Sequence, residues 1–427
     1  IDEVHNLRIT DKVKDVKKST ENLKKVVVYA NNLKLLLLSA TPMYDNAREI
    51  IWILNILNLN DNRFPIEENE IFDSNNNILT EDGKGKELLV QKATGYISYV
   101  RGENVFTFPY RIYPNDMGEK GSLEYMMKNK WEYPNKQAND ITISGVEGIN
   151  YLDLMTIPIC DYQSKVYNFN IQYLKDKKKG FIKDEDKNTG IPYVLLDGLV
   201  QILNFSYPHK KFNEDNPGKK YDIVKRLYGI DGLKRNMFYT KETMFRSFAY
   251  KSDTIKNYGR LFDYDNLGKY SNKIEFIMKK IINKKGEIQS KGKILIYSRY
   301  IHGCIIPLAL ALEEVGFTRY GGNSLFKEKP KTKYTKHNHK LRYIMITGDS
   351  VLSPNKLEEI NAFNSPDNKD GEEIKVIIVS KAASEGLDFQ CIRQVHIVDP
   401  WYNIYRIEQI IGRAVRNQSH CLLPFIE

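Results

Sequence analysis

The chain has 427 residues, which allows two or more domains that each bury a core. A hydrophobic share of 41% and a charged share of 28% are ordinary for a globular protein, and no apolar run nears the roughly 20 residues that span a bilayer, so no membrane partner is expected. The net charge of +10 favours a polyanionic partner, although lysines in Asn-rich loops are often only solvated. The cysteines Cys160, Cys304, Cys391 and Cys421 form no Cys-x-x-Cys pair, which argues against a structural zinc and for a reducing, intracellular compartment.

The chain opens Ile1-Asp2-Glu3-Val4-His5 with no Met, so the numbering is expected to start inside a longer protein. Residues 33–38 are an apolar run, interrupted only by Lys34, that stops at Ser39-Ala40-Thr41-Pro42. Such a run reads as a buried parallel strand with a loop at its carboxyl end. Ile50, Ile51, Ile53, Leu54 and Leu57 then recur with helical spacing. Asp2-Glu3 and Ser39-Ala40-Thr41 would sit at the carboxyl ends of neighbouring strands, where α/β sheets bind ligands. Two carboxylates there can hold Mg²⁺ through water and orient an attacking water. Taken alone, Asp-Glu-x-His reads equally as an acidic loop end.

Gly83-Lys84-Gly85-Lys86 lacks the Gly-x-x-x-x-Gly-Lys-Ser/Thr spacing of a phosphate loop, and no apolar strand feeds it. Residues 95–103 mix aromatics with Arg101, a pattern that suits either half-buried packing or base contact. Between 114 and 270, Gly, Asn and Lys clusters interrupt helical stretches at 167–174 and 194–203.

Regular α/β order returns with strands at 294–299, 342–346, 376–379 and 395–398. Residues 302–314 read as a helix stopped by Gly316, and Ser353-Pro354-Asn355 as a helix start. His302 and His396 lie in apolar contexts that suit core positions.

Near the end stands Gln409-Ile410-Ile411-Gly412-Arg413-Ala414-Val415-Arg416. On a helix Gln409, Gly412, Arg413 and Arg416 would share one stripe, with Gly412 leaving room for close approach. Two neighbouring guanidiniums repel unless an anion lies between them, and a triphosphate fits such forks. A solvated basic face is the plain alternative.

Asp2-Glu3-Val4-His5, Ser39-Ala40-Thr41, the strand at 294–299, residues 380–388 and residues 409–416 stand in the order of motifs II, III, IV, V and VI of the superfamily 2 helicases. The chain resembles that family. Residues 158–167 and 271–277 are similar to segments of Swi/Snf-like translocases. Residues 99–114 and 201–208 are similar to the poxvirus-type helicases of large DNA viruses, such as nucleoside triphosphate phosphohydrolase I and the small subunit of the viral early transcription factor.

The resemblance implies an α/β fold of two RecA-like parallel-sheet lobes with ATP in the cleft between them. Residues 1–114 would be the later half of the first lobe, 115–272 a mainly helical insertion and linker, and 273–427 the second lobe with its end truncated. Asp2 would hold the Mg²⁺ water shell and Glu3 would polarise the attacking water. His5 would hydrogen-bond across the cleft to Gln409. Arg413 and Arg416 would act as arginine fingers, with Gly412 beside them. Gly386 and Asp388 would position motif V, and Ser39 and Thr41 would couple hydrolysis to movement. Tyr297, Arg299, Ser380 and Lys381 would face the nucleic-acid backbone, DNA favoured over RNA. Viral RNA polymerase or transcription-factor subunits are the protein partners it suggests, in the virion or host cytoplasm.

Motif II normally follows a Gly-Lys-Ser/Thr phosphate loop, and the sequence contains no such tripeptide. The 427 residues are therefore expected to be a fragment of an ATPase, inactive alone, with the first and nearly last residues facing each other across one cleft. The competing reading is a non-catalytic module that binds nucleic acid or polymerase without turnover.

Overall fold

The computed structural model describes residues 1–7, 18–39, 42–43, 47–73, 77–79, 84–99, 107–129, 142, 154–178, 193–212, 221–241, 246–322, 324–331, 341–381, 387–400 and 404–424. The chain divides into two units, residues 1–103 with 401–407, and residues 104–400 with 408–427.

In the first unit the amino-terminal residues lie alongside the apolar run. Ile1 N donates to Leu36 O (2.7 Å), Leu38 N to Ile1 O (2.8 Å) and Val4 N to Leu38 O (3.1 Å). The first two bonds follow the stagger of parallel segments, and the left-handed Glu3 passes the third to Val4, where the 3-10 turn Val4–Leu7 begins. The run differs from a buried strand in its exposure, since Leu36 is 69% and Leu38 48% accessible. Among the described residues it has a partner segment on one side only, so half of its side chains stay uncovered. Helices α1 (Lys18–Tyr29), α2 (Glu49–Asn60) and α3 (Lys84–Ala93) are its longer elements, with one-turn helices at Val4–Leu7 and Glu68–Ile71. Ile51, Leu54, Ile66, Ile71 and Phe72 form its core, with Leu88 and Leu89 of α3 against them. Lys84 and Gly85 thus belong to a helix rather than to a phosphate loop.

The second unit begins its long elements with α4 (Asp161–Lys178), α5 (Tyr193–Asn204) and α6 (Gly229–Asn236). A hairpin follows, β1 (Met237–Lys241) with β2 (Arg246–Tyr250), then α7 (Ser252–Tyr258) and α8 (Asn272–Ile281). The sheet strands are β3 (Lys293–Tyr297), β4 (Thr318–Arg319), β5 (Arg342–Ile346), β6 (Ile374–Val379) and β7 (Ile392–Ile397). Helix α9 (Ile306–Glu314) follows β3, α10 (Lys356–Asn364) follows β5 and α11 (Ile404–Ile411) follows β7.

All five sheet strands are parallel, in the order β4-β5-β6-β3-β7. The chain leaves β3 towards one edge, returns through β5 and β6, and places β7 on the other side of β3. That reversal is the switch point at which open α/β sheets bind ligands beyond their carboxyl ends. Both faces are buried, as parallel sheets require. Ile294, Ile296, Tyr343, Met345, Val376 and Ile378 belong to one core, while Leu295, Ile344, Ile346, Ile377 and Val379 belong to the other. The first core is continuous with Phe205, Tyr207, Phe248, Phe262 and Ile274, so residues on both sides of position 272 fill it.

Two bulges interrupt the sheet near its amino end. Arg342 pairs with Ile374 but Tyr343 with Val376, leaving Lys375 as the extra residue, and Arg393 is skipped in the same way on β7. Gly292 allows the second, because its φ is +65° and a Cβ there would lie 2.2 Å from Arg393 Cγ.

Lys293 and Lys375 lie buried at this end. Lys293 Nζ donates to Phe363 O (2.8 Å) and Lys375 Nζ to Gly292 O (2.9 Å). Burial pulls each pKa from 10.5 to about 8. A lysine whose pKa is depressed in the fold costs stability wherever the unfolded chain would hold the proton, because the fold either gives it up or holds it against burial. The cost is absent above pH 10.5, grows as pH falls, and is complete below about 8, where it is of the order of 3 kcal/mol per lysine. Stability of Lys293→Met is therefore expected to exceed wild type near pH 7 and to converge on it above pH 10.5. Urea midpoints that track wild type in parallel across this range would overturn the assignment.

Candidate functional site

The acidic motif of the first unit forms a small polar cluster. Asp2 is exposed and its Oδ1 accepts from Glu3 N (2.9 Å). Glu3 sits at φ 52°, in the left-handed region that costs a residue with a side chain roughly 1–3 kcal/mol. Its Oε2 lies 3.3 Å from His5 Nδ1, which is also 3.0 Å from Ser39 Oγ. His5 is buried and Glu3 half-buried. The two segments thus meet through His5 and Ser39, and the Val4 N–Leu38 O bond holds them in register. Thr41 lies outside the described residues.

In the second unit the two arginines do have an anion between them. Asp388 Oδ1 lies 2.7 Å from Arg416 Nη1 and 3.9 Å from Arg413 Nη1. The geometry of the stretch departs from one helical stripe. Helix α11 ends at Ile411, Gly412 to Ala414 form a turn, and Arg416 lies beyond it. Gly is a poor helix residue, and here tertiary bonds take the carbonyls a helix would use. Phe389 N donates to Arg413 O (3.0 Å), while Ser419 Oγ donates to Ala414 O (3.2 Å) and Arg416 O (2.9 Å). The turn brings Arg413 and Arg416 to one carboxylate all the same. A Cβ on Gly412 would meet only the Glu408 and Gln409 carbonyls, at 3.1 and 3.6 Å, so the glycine serves the turn rather than the close approach of another element. Gln409 is half-buried, and Gly386 lies outside the described residues.

The carboxyl edge of the sheet carries the rest, and two expectations are corrected there. Tyr297 is 3% and Ser380 2% accessible, so neither is placed to face a nucleic-acid backbone. Ser380 instead clamps the edge, its Oγ accepting from Gly348 N (3.3 Å) and its N–H donating to Ile346 O (3.0 Å). Lys381 is exposed. Arg299 is 30% accessible, stands 4.0 Å from Asp197 Oδ1, and lies over the Tyr300 ring at 5.6 Å.

Beneath Arg299 lies a buried network that the sequence did not reveal. Asp399, at the end of β7, accepts from Ser298 Oγ (2.5 Å), Arg299 N (2.8 Å) and Asn204 Nδ2 (3.2 Å). Lys273 Nζ donates to Asn204 Oδ1 (3.1 Å) and Val398 O (2.9 Å). Burial pushes the Asp399 pKa up, opposed by these donors and by Lys273, and burial pushes that of Lys273 down. Ser271 Oγ, the cap of α8, donates to Asn204 O (2.5 Å), and Gln163 Nε2 donates to Ile202 O (3.0 Å). Segments 158–167, 201–208 and 271–277, singled out separately in the sequence, therefore converge behind one sheet edge. The signal was present as a resemblance in each, but which polar side chains meet depends on the fold.

For a triphosphate the Asp388–Arg413–Arg416 cluster is chemically apt, since a carboxylate already occupies the space between the forks. Among the described residues no group of three or more His, Cys, Asp or Glu side chains is set to hold a metal ion. Mg²⁺ held through one carboxylate and waters needs no such group, and Asp2 is the exposed carboxylate available. His396 lies half-buried on β7 with Nε2 3.3 Å from Gln394 Oε1, and desolvation pushes its pKa down to about 4. All four cysteines are free. No helix among the described residues is long and apolar enough to cross a membrane.

Residues 272–418 match the helicase conserved C-terminal domain family. Over 98% of its length the chain is 25% identical to a candidate ATP-dependent RNA helicase of Acanthamoeba polyphaga mimivirus, covering 56% of that protein. It is 25% identical to nucleoside triphosphatase I of Choristoneura fumiferana entomopoxvirus, over 99% of this chain and 54% of the relative. It is 23% identical to an early transcription factor large subunit homolog of African swine fever virus, over 91% of this chain and 32% of the relative. The chain thus spans between about a third and just over half of the relatives it matches. The C-terminal part of the Fun30 ATPase domain superposes with a TM-score of 0.34 at 16% identity, over 60% of this chain and 77% of that one. Residues 272–418, which hold the five-stranded parallel sheet, thus match a helicase C-terminal domain, and almost the whole chain is similar to helicases and nucleoside triphosphatases of large DNA viruses.

Proposed function

We propose that these residues belong to an ATP-dependent nucleic-acid translocase or helicase that acts in the transcription of a large DNA virus. The observation that carries this reading is the Asp388 carboxylate held by both Arg413 and Arg416. Exposed ion pairs of this kind are worth no more than about 1 kcal/mol, and Asp388 is 58% accessible. A polyphosphate, with more charge and more acceptor oxygens, displaces the carboxylate at little cost. Bound ATP with Mg²⁺ supplies the phosphoanhydride whose hydrolysis drives movement.

The residues then divide the work. Arg413 and Arg416 neutralise charge on the transferred phosphoryl group, while Glu3 orients the attacking water and Asp2 holds the metal's water shell. His5 and Ser39 relay the state of that motif. Arg299 and Lys381 contact the backbone of the bound strand, positioning it without reading sequence. DNA is the favoured strand, and viral polymerase or transcription-factor subunits are the favoured protein partners.

ATP hydrolysis by the intact protein, measured with single-stranded DNA, duplex DNA and RNA side by side, tests the reading. Stimulation by at least one of them is expected, and DNA should stimulate more than RNA. The 427-residue polypeptide alone has no Gly-Lys-Ser/Thr segment and is expected to show no stimulated turnover. An intact protein that binds nucleic acid yet never hydrolyses ATP would make it a binding module instead.

A further inference from the structure

A second charged surface lies away from the motif residues, where three short elements end together. Tyr207 N donates to Leu227 O (2.7 Å), which ties the turn at 207–212 to the end of the 3-10 helix Tyr221–Leu227. Asn236 Nδ2 donates to Pro208 O (3.2 Å), which ties the same turn to the end of α6. Each element is basic at this end. The turn carries Lys210 and Lys211, the 3-10 helix Lys225 and Arg226, and α6 Lys234 and Arg235. All six are exposed.

Lys251 joins them, its Nζ donating to Lys234 O (2.6 Å). The carboxylates on these elements and on α7, Asp222, Asp231 and Asp253, are too few to balance the cations. Among the described residues only Lys210 of the group is in an ion pair, with Asp253 (2.8 Å). Under the surface, His209 Nδ1 accepts from Lys211 N (3.1 Å), which places the neutral ring's proton on Nε2, and that atom has no acceptor among the described residues. Burial first, then Arg235, Arg226 and Lys211, push the His209 pKa down, as expected of a ring set in strong positive potential.

An exposed aromatic ring borders this charge at Lys251. Phe238 is 58% accessible, with Lys251 Nζ 5.7 Å from its centroid. A large exposed ring among cations costs a soluble surface something and gives a base a stacking partner. The charge also continues towards the sheet. Lys234 and Arg246 both lie over the Tyr239 ring, at 5.8 and 5.7 Å, and Arg246 pairs with Asp349 just beyond the end of β5. The strip therefore leads from α6 to the same carboxyl edge that bears Lys381.

We propose that Lys211, Lys225, Arg226, Arg235 and Lys251, with Phe238, form a second contact for single-stranded nucleic acid, holding backbone phosphates beside one stacked base. It extends the strand path from the sheet edge onto the helical segment before β1. The inference rests on the nucleic-acid reading above but uses none of its motif residues. A solvated basic face would bear the same charges, but it gives no reason for an exposed Phe238 held under Lys251.

The test is binding of the 427-residue chain to a fluorescent single-stranded oligothymidylate, followed by anisotropy over a range of salt concentrations. Each phosphate contact on a single strand contributes about 0.7 to the slope of log affinity against log salt. Arg226→Gln with Arg235→Gln is expected to lower the slope by about 1.4 and weaken binding about ten-fold in low salt. Lys211→Gln with Lys225→Gln, on two other elements, should do the same, while Lys284→Gln with Lys285→Gln should not. Phe238→Ala is expected to weaken binding about ten-fold with the slope unchanged. Binding that keeps its full slope in both double variants overturns this contact and leaves the motif reading standing. A wild-type chain that binds no strand overturns both.

Discussion

Arg413→Ala in the intact protein is expected to lower nucleic-acid-stimulated ATP turnover by about 10³–10⁵ while largely sparing ATP binding. A guanidinium that meets charge developing on a phosphoryl group acts mainly in the transition state, so kcat falls and affinity hardly moves. Arg413 is the more enclosed of the pair, at 15% accessibility against 44% for Arg416, and its backbone is pinned by the Phe389 N–Arg413 O bond. A pinned, enclosed fork is preorganised, which is what electrostatic catalysis requires. Arg413→Lys keeps the charge but loses the planar fork, and it should recover only a small part of the rate. Turnover measured at saturating ATP, with nucleotide affinity measured separately, decides the matter. Turnover of Arg413→Ala within ten-fold of wild type would sink the proposed role.

Asp399→Ala is expected to cost the second unit roughly 3–5 kcal/mol, because it removes one charge of a buried network and leaves the other behind. Lys273 would remain buried with only Asn204 and Val398 O to meet it, and the Ser298 hydroxyl and Arg299 N–H would lose their acceptor. For a unit of this size the melting temperature should fall by roughly 10 °C. Asp399→Asn keeps the shape but turns a donor towards donors, and it should cost roughly half as much. Adding Lys273→Met to Asp399→Ala should restore part of the loss, since the stranded charge is gone. A loss under about 1 kcal/mol for Asp399→Ala would mean that water replaces the carboxylate and that the network does not hold the Arg299 loop.

The two expectations draw on different kinds of legibility. Arg413, Arg416 and Asp388 were all visible in the sequence, because each falls in a stretch that resembles a helicase motif, in the expected order. Their convergence on a turn rather than a helix was not visible, since Gly412 permits either and the Phe389 and Ser419 bonds choose between them. Asp399 carried no motif of its own. It ends an ordinary apolar strand, and only the packing of α5 and α8 against β3 gives it Asn204 and Lys273 as neighbours. Tyr297 and Ser380 show the converse. Their motif positions suggested contact with a ligand, whereas the doubly covered sheet buries them.

Local pattern alone determined the β-strands at 342–346 and 376–379, the second of which the structure extends back to 374, the helix before Gly316 and the α/β class, because a doubly buried parallel strand is a mostly apolar run. It also determined the motif order, which is a property of residue types and spacing. Only the tertiary structure decided the strand order, with β7 crossing to the far side of β3, and the bulges that bury Lys375. It alone decided that basic ends of three separate elements would meet, with Lys251 carrying their charge to Phe238. Those outcomes depend on contacts between residues far apart in the chain, and no local period encodes which distant partner a buried charge or an exposed ring will meet.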